Sequence, residues 1–351
     1  MIQIKSLDLR DFRNYEEAHV EFVPGINWIV GSNAQGKTNL LEALSLLSLG
    51  RSFRTPHLSD LIRSGASSFA IRAVILKDEV EQTLTLTYDG KAKKIELSGK
   101  SYDRFGPLIG FLPSVLYQPE DSALITGIPA LRRRFLDMHI AQSSPAYLQQ
   151  LVRYYQAMKQ RNAILKKHIN APLEPWEELM AESGALIMRM RRETIAALSE
   201  MLTKTAHHLS NGEDDVRCHY ESHVEHEDLL LKSWQEGLAK DKEMGITRSG
   251  PHRDDLIFSL GESAAKERAS QGQRRTLVAA LKLAEWQILQ RNTGYPPLMQ
   301  IDDFGVHLDA ERKEKFRGAL PQGAQVFLTS PHEEAFEAHF IYIGGGTLVK
   351  S

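Results

Sequence analysis

Gly31-Ser32-Asn33-Ala34-Gln35-Gly36-Lys37-Thr38 has the spacing of a phosphate-binding loop: Gly, four residues, then Gly-Lys-Thr. Its glycines permit a tight turn that presents successive N–H groups to phosphate oxygens. Lys37 has the reach for β- and γ-phosphates, and Thr38 offers a hydroxyl to Mg²⁺. Immediately upstream, Ile26-Asn27-Trp28-Ile29-Val30 is a mostly apolar run of strand length behind Pro24-Gly25. Downstream, Leu40, Leu41, Leu44 and Leu47 recur at helical spacing, and Gly50 stands where a helix would stop. Strand, loop and helix N-terminus in that order make an anion site.

The surrounding chain of 351 residues is long enough for two lobes or one large domain with an insertion. Its 42% hydrophobic and 25% charged residues are those of an ordinary globular protein with a sizeable core. A net charge of −2 gives no global attraction for phosphate, so nucleic-acid binding would need basic residues grouped on one face. The single cysteine, Cys218, excludes an internal disulfide and fits a reducing compartment. No apolar run reaches the length of a membrane span. Met1-Ile2-Gln3-Ile4-Lys5 enters a strand pattern at once, with no signal-peptide core. A cytoplasmic protein is the expectation.

Residues 2 to 30 read as an antiparallel start, with Ile2, Ile4, Leu7 and Leu9 among polar residues and Ala18, Val20 and Phe22 alternating with His19 and Glu21. Between them, Asp11-Phe12-Arg13-Asn14-Tyr15 is either a polar connection or, through Arg13, an approach to the nucleotide. Gly50-Arg51-Ser52-Phe53-Arg54-Thr55-Pro56 carries two arginines suited to phosphate, or else forms a solvated loop. Residues 69 to 98 alternate again, with Asp89-Gly90 as a hairpin turn. Val115-Leu116-Tyr117-Gln118 reads as a strand ending in Pro119-Glu120-Asp121; Gln118 is placed to bond Mg²⁺ or the attacking water, and the Pro-Glu-Asp run equally suits a simple turn.

From about 129 to 244 the pattern is almost wholly helical. Tyr147, Leu148, Leu151, Tyr154, Tyr155 and Met158 recur at three and four, and Leu179 to Leu202 repeat this after the Pro172-to-Pro175 break. Helices of about 25 and 36 residues would run roughly 37 and 54 Å, which makes a stout lobe. It carries Arg132-Arg133-Arg134, Arg153, Lys159, Arg161, Lys166, Lys167, Arg189, Arg191 and Arg192. Such residues form either a solvated face or a DNA contact that releases counterions. Cys218, His219, His223 and His226 match no closed four-ligand metal spacing, and Glu221, Glu225 and Glu227 make that segment read as exposed polar loop.

Sheet returns at 245. Gly250-Pro251-His252-Arg253-Asp254-Asp255 precedes Leu256, Ile257, Phe258 and Leu260. Ser270-Gln271-Gly272-Gln273-Arg274 follows, with Ser270 at or just before the N-cap of an apolar-faced helix, where anions are favoured. Leu298-Met299-Gln300-Ile301-Asp302-Asp303 is the acidic end of a buried strand; Asp302 is placed to hold Mg²⁺, and Asp303 to orient or deprotonate water. Val326-Phe327-Leu328-Thr329 reads as a last core strand.

These pieces follow the order of ATP-binding-cassette heads, in which two heads sandwich ATP between the P-loop of one and the signature serine of the other. Within that class the chain resembles the RecF family nearly end to end. The likeness rests on Phe12-Arg13-Asn14-Tyr15, the P-loop with Asn39, Gly50-Arg51-Ser52-Phe53-Arg54, Pro119-Glu120-Asp121, Arg132-Arg133-Arg134-Phe135-Leu136-Asp137, Gly250 to Asp255 and Ser270 to Arg274. It implies an α/β ABC-type head with a mixed sheet, an antiparallel β section and an inserted helical lobe. Residues 1–118 would hold the P-loop part, 119–244 the lobe, and 245–351 the signature and Asp-rich strand. It implies ATP and Mg²⁺ as cofactors, Lys37, Gln118 and Asp303 as catalytic groups, and Gly31 to Asn39 with Arg13 around ATP. Ser270, Gln271, Gly272 and Gln273 would act on the partner's ATP, and Arg51, Arg54, Arg132, Arg133 and Arg134 would meet DNA. The family implies a cytoplasmic, ATP-dependent homodimer that binds DNA at gaps and stalled forks, hydrolyses ATP slowly, and helps RecR and RecO load RecA. Departures are Val306-His307-Leu308-Asp309 where the family usually has Ser-Glu-Leu-Asp, Gln300 within the aliphatic run, and Ser330 with His332 near the switch-histidine position of transporter cassettes.

A transporter nucleotide subunit would use the same head motifs. Against it stand the hairpin section at 69 to 98, the helical insertion, and Gln271 where transporters generally carry glycine. A chromosome-organising head needs coiled-coil arms that about 115 inserted residues cannot supply. A non-enzymatic ATP clamp differs from the RecF reading only in lacking turnover.

Overall fold

The computed structural model describes residues 1–167, 171–305, 310–333 and 337–350. Two-residue alternation builds the first elements. β1 (Ile2–Phe12) buries Ile4, Leu7, Leu9 and Phe12, and β2 (Tyr15–Glu21) returns beside it with Phe12 opposite Tyr15. β3 (Ile26–Val30) leads through the Gly-rich loop into α1 (Lys37–Leu49), which Gly50 terminates. Then come β4 (Phe69–Lys77), β5 (Val80–Tyr88), β6 (Lys93–Leu97), β7 (Lys100–Tyr102) and β8 (Ser114–Tyr117). The Asp89 side chain closes the expected turn after β5 by accepting from the N–H groups of Lys91 and Ala92.

The middle of the chain contains α2 (Ala123–Thr126), α3 (Pro129–Ser143), α4 (Pro145–Lys167) and α5 (Glu174–Leu209), then β9 (Val216–Glu221) and α6 (Leu230–Met244). β10 (Asp255–Leu260), β11 (Ser263–Ala264), α7 (Ala265–Arg268) and α8 (Gln271–Thr293) follow. The chain ends with β12 (Leu298–Ile301), α9 (Ala310–Gly318), β13 (Val326–Ser330), β14 (His339–Gly344) and β15 (Thr347–Lys350).

The chain divides into two compact units: Met1–Asp121 with Val278–Ser351, and Ser122–Leu277. In the first, an antiparallel sheet runs β2-β1-β4-β5-β6-β7, and a mixed sheet runs β15-β14-β3-β13-β12-β8. One apolar core joins the inner faces of β1, β4 and β5 to Leu40, Leu44 and Leu47 of α1 and to Leu298, Phe327 and Ile341. β3 does not belong to the antiparallel start expected for residues 2 to 30. It pairs in parallel with β13 and β14, and its near-continuous burial is that of a central strand covered on both faces.

In the second unit, α4 and α5 (23 and 36 residues) pack along each other, and α5 also packs on β9. The stretch from 129 to 244 is helical as expected apart from β9 and its flanking turns, and residues 218 to 221 are strand, not exposed loop. β9 pairs antiparallel with β10, burying Val216 and Cys218 on alternate positions. The compact units divide after Leu277, while the domain expectation put its second boundary at 244/245. α8 supplies its first turns to this unit and its remainder to the other.

Candidate phosphate-binding site

β8, β12, β13 and β3 are parallel and end on the same edge of the mixed sheet, the edge where open α/β sheets bind ligands. The Gly-rich loop leaves β3 there. Gly36 caps α1 at φ +120°, and a Cβ on it would stand 2.8 Å from Tyr15 Oη and 2.9 Å from the Asn14 amide, so only glycine fits. Lys37 Nζ folds over the loop and donates to Gly31 O at 2.7 Å and Ser32 O at 3.0 Å. Burial pulls the Lys37 ammonium below its ordinary range, while Asp303 and Asp302 oppose that shift. A buried ammonium folded over a Gly-rich loop at a helix N-terminus fits a polyphosphate.

Thr38 Oγ1 donates to Asp302 Oδ1 at 3.0 Å, so the first turn of α1 touches the end of β12. The same Asp302 oxygen accepts from Thr329 Oγ1 at 2.7 Å, and Thr329 Oγ1 in turn accepts from Asp303 N–H at 2.8 Å. Burial raises the Asp302 pKa; the bond from Thr329 opposes this, and the charge of Asp303 reinforces it. A divalent cation beside Thr38 and Asp302 would favour the charged carboxylate. Asp303 holds φ at +52°, a left-handed backbone that costs a non-glycine residue about 1 kcal/mol. Asp302 N–H donates to Tyr117 O at 2.9 Å, joining the end of β12 to the residue before Gln118. Gln118 N–H donates to Asp121 Oδ2 at 2.9 Å. Behind it the buried Lys282 ammonium lies 3.6 Å from Asp121 and 3.3 Å from Glu285.

A scaffold less visible in sequence supports the loop. Asn14 Nδ2 donates to Gln35 O at 2.8 Å, and Tyr15 Oη donates to Gly36 O at 2.9 Å. Gly346 N–H donates to Gln35 O at 3.1 Å, and Gly345 N–H donates to the Gln35 side chain. Asn39 belongs to this scaffold: its Nδ2 donates to Asn14 Oδ1 at 2.8 Å and its Oδ1 accepts from Arg54 Nη1 at 2.7 Å. Asn14 and Tyr15 belong to the Phe12-to-Tyr15 stretch that carries the family likeness, but nothing in that stretch announces their bonds to the loop, and Thr329 carries no motif. The only signal of those bonds is position, beside the loop residues they hold.

The arginines separate into two groups. Arg13 does not reach toward a nucleotide. Its Nε and Nη2 grip the buried Glu42 at 2.8 and 2.7 Å, and its Nη1 donates to Asp60 O at 2.8 Å. Arg132 is not available to DNA either, because it is buried in a bidentate pair with Asp255. Arg161 and Arg191 are likewise internal, paired with Glu177 and Asp241 and with Asp137. Arg133 is half-buried, Arg134 and Arg54 are exposed, and Arg51 lines a cavity of about 200 Å³ with Lys93 and Phe105 at the end of α1.

In the other unit, Ser270 caps α8. Its Oγ accepts from Gln273 N–H at 3.2 Å, and Gln273 Oε1 accepts from Ser270 N–H at 3.0 Å, a reciprocal capping box. Gln273 Nε2 also donates to Asp214 Oδ1 at 2.9 Å, while Gln271 is exposed and Gly272 half-buried. Ser330 Oγ accepts from Trp28 Nε1 at 2.7 Å and bonds His332 O, which locks it in place. Gln300 is fully buried, and its side-chain amide has no partner among the described residues. Val306, His307, Leu308 and Asp309 lie outside the described residues.

The family model for the RecF/RecN/SMC N terminal domain matches residues 3–344. A DNA replication and repair protein RecF from Protochlamydia amoebophila (strain UWE25) is 41% identical over 335 residues, covering 93% of each chain. This chain belongs to the RecF family. RecF from Chlamydia trachomatis serovar L2 is 37% identical over 338 residues, covering 94% of this chain and 92% of its own. The solved structure of the recombination mediator protein RecF with ATP, in the RecFOR pathway, is 31% identical, covers 99% of this chain and 97% of its own, and has a TM-score of 0.92. An Smc head bound to the C-winged helix domain of ScpA, 17% identical with a TM-score of 0.56 over 98% of this chain and 95% of its own, shares the fold alone. RecF membership confirms the ABC-type ATPase-head fold and replaces the transporter-subunit alternative. No helix among the described residues is long and apolar enough to cross a membrane.

Proposed function

We propose that this RecF-family chain is an ATPase that binds ATP with Mg²⁺ and, as an ATP-sandwiched homodimer, holds DNA for repair and replication. The observation that carries the reading is the bond from Thr38 to Asp302 beside the buried Lys37 ammonium. It brings a metal-binding hydroxyl, a carboxylate and a phosphate-binding lysine to one sheet edge. ATP would supply a phosphoanhydride whose hydrolysis resets the dimer. The loop amides of 31 to 38 and Lys37 would cradle its phosphates, and Thr38 and Asp302 would hold the cation. Asp303 and Gln118 would orient water. Ser270 to Gln273, on the capped start of α8, would face the partner's nucleotide. Among the expected DNA contacts, Arg133, Arg134, Arg51 and Arg54 stay in the proposal. Slow turnover stimulated by DNA, a cytoplasmic location, and action with RecR and RecO in loading RecA at gaps and stalled forks complete it. Support comes from membership in a family whose relatives are named for DNA replication and repair.

Sedimentation with and without ATP and duplex DNA tests the reading. The wild-type chain should dimerise only with ATP and then bind DNA. Ser270→Arg should keep monomer ATP binding and lose the dimer. A Ser270→Arg chain that dimerises normally on ATP would refute the sandwich, and an unchanged monomer in ATP with DNA would refute the clamp.

A further inference from the structure

The loop Gly250-Pro251-His252-Arg253-Asp254-Asp255 lies within the Ser122–Leu277 unit and is held from all sides. Gly250 sits at φ +119°, and a Cβ there would come within 2.7 Å of Tyr154 Oη. Pro251 O accepts from Arg191 Nη1 at 2.6 Å. His252 meets Tyr154 Oη through Nδ1 at 2.7 Å and Thr247 O through Nε2 at 3.0 Å. The Asp254 carboxylate accepts from Tyr220 Oη and from His223 N–H, and Asp255 takes both arms of Arg132. Contacts from α3, α4, α5 and β9 thus hold the five residues around Arg253.

Arg253 is the exception. It is exposed, and among the described residues its guanidinium makes no hydrogen bond or ion pair. Arg133 stands beside it, anchored through Nη1 to Asp254 O at 2.8 Å. Burial pushes the His252 pKa down to about 4 against the bond to Thr247 O, and the positive charges of Arg253, Arg133 and His223 push it the same way. The buried Asp254 and the half-buried Asp137 carboxylates are already bonded to Tyr220 and to Arg191 and Tyr147.

We propose that Arg253 and Arg133, beside the exposed His223, form a two-pronged contact for the phosphodiester backbone of DNA, with the fixed loop backbone holding Arg253 at the surface. A guanidinium fork suits phosphate geometry, and a loop backbone fixed beforehand lowers the ordering cost of binding. The inference rests on the DNA-binding reading above.

The test is fluorescence anisotropy of a labelled duplex with saturating ATP across a salt series, comparing wild type, Arg253→Ala, Arg253→Lys and the exposed control Lys204→Ala. Arg253→Ala should bind roughly 10-fold more weakly and lose about one unit of log–log salt slope. Arg253→Lys should recover part of the affinity, and Lys204→Ala should match wild type. Urea midpoints and ATP-driven dimerisation should not change. No wild-type binding at any salt would sink the DNA reading itself. Wild-type binding with Arg253→Ala equal in affinity and slope would overturn this inference and assign the prong to an acidic protein surface instead.

Discussion

Arg132 and Asp255 meet as a buried fork-to-fork pair, Nε to Oδ1 at 2.8 Å and Nη2 to Oδ2 at 2.7 Å, across 123 residues of sequence. Removing one member strands the other charge away from water. Arg132→Ala should therefore destabilise the Ser122–Leu277 unit by about 3–5 kcal/mol. The exposed neighbour Arg134→Ala should stay within about 0.5 kcal/mol. Urea unfolding of both variants checks this, and equal midpoints would remove Arg132 from the fold's support.

Lys37→Met keeps the length of the side chain and removes its charge. Loss of one charge-assisted contact to phosphate, about 1.5–3 kcal/mol, should weaken ATP binding by roughly 10- to 100-fold or more. Titration calorimetry with ATP reads this directly. The DNA-binding and dimer steps should fall together with it.

Tyr15→Phe deletes only the hydroxyl that donates to Gly36 O. It should lower stability by about 1 kcal/mol. Gly36→Ala should be worse, because the new methyl meets Tyr15 and Asn14 and the backbone is left-handed. Thermal melts of the two variants should rank in that order.

The two units should respond oppositely to acid. Burial raises the Glu285 carboxyl from 4.5 to about 7, with Lys282 opposing. The folded state then holds a proton that the unfolded state has released, so this stabilisation is full below pH 4.5 and lost as pH rises through 7. His252 has the reverse sign: burial lowers it from 6.5 to about 4, so its contribution is full above 6.5 and is lost as pH falls through 4. Glu285→Gln and His252→Gln should each flatten one trend. Denaturant unfolding at pH 5 and pH 7, followed by hydrogen exchange in each unit, separates them; unaltered pH dependence in either variant would refute its assignment.

The parts legible in sequence were those whose signal is local. The Gly31-to-Thr38 spacing, the leucines of α1 and the alternation in β1 and β5 each need only a few neighbouring residues. The partners of Arg13 and Arg132 are not legible for the opposite reason. An arginine looks the same whether it faces water or a carboxylate, and Glu42 and Asp255 lie 29 and 123 residues away. β9 hid because its short alternation, Val216, Cys218 and Tyr220, sits among His and Glu residues after a long helix.

β3 carries the Gly-rich loop, yet both strands that flank it, β13 and β14, come from the last tenth or so of the chain. During synthesis at 5–20 residues per second, Trp28 and Ile29 would wait roughly 15–60 s for their neighbours. The half-made chain thus presents an apolar strand with two open edges, which invites chaperone capture. The loop cannot be set until β13 and β14 have been made, so a product truncated before them would carry the P-loop sequence without the sheet that shapes it.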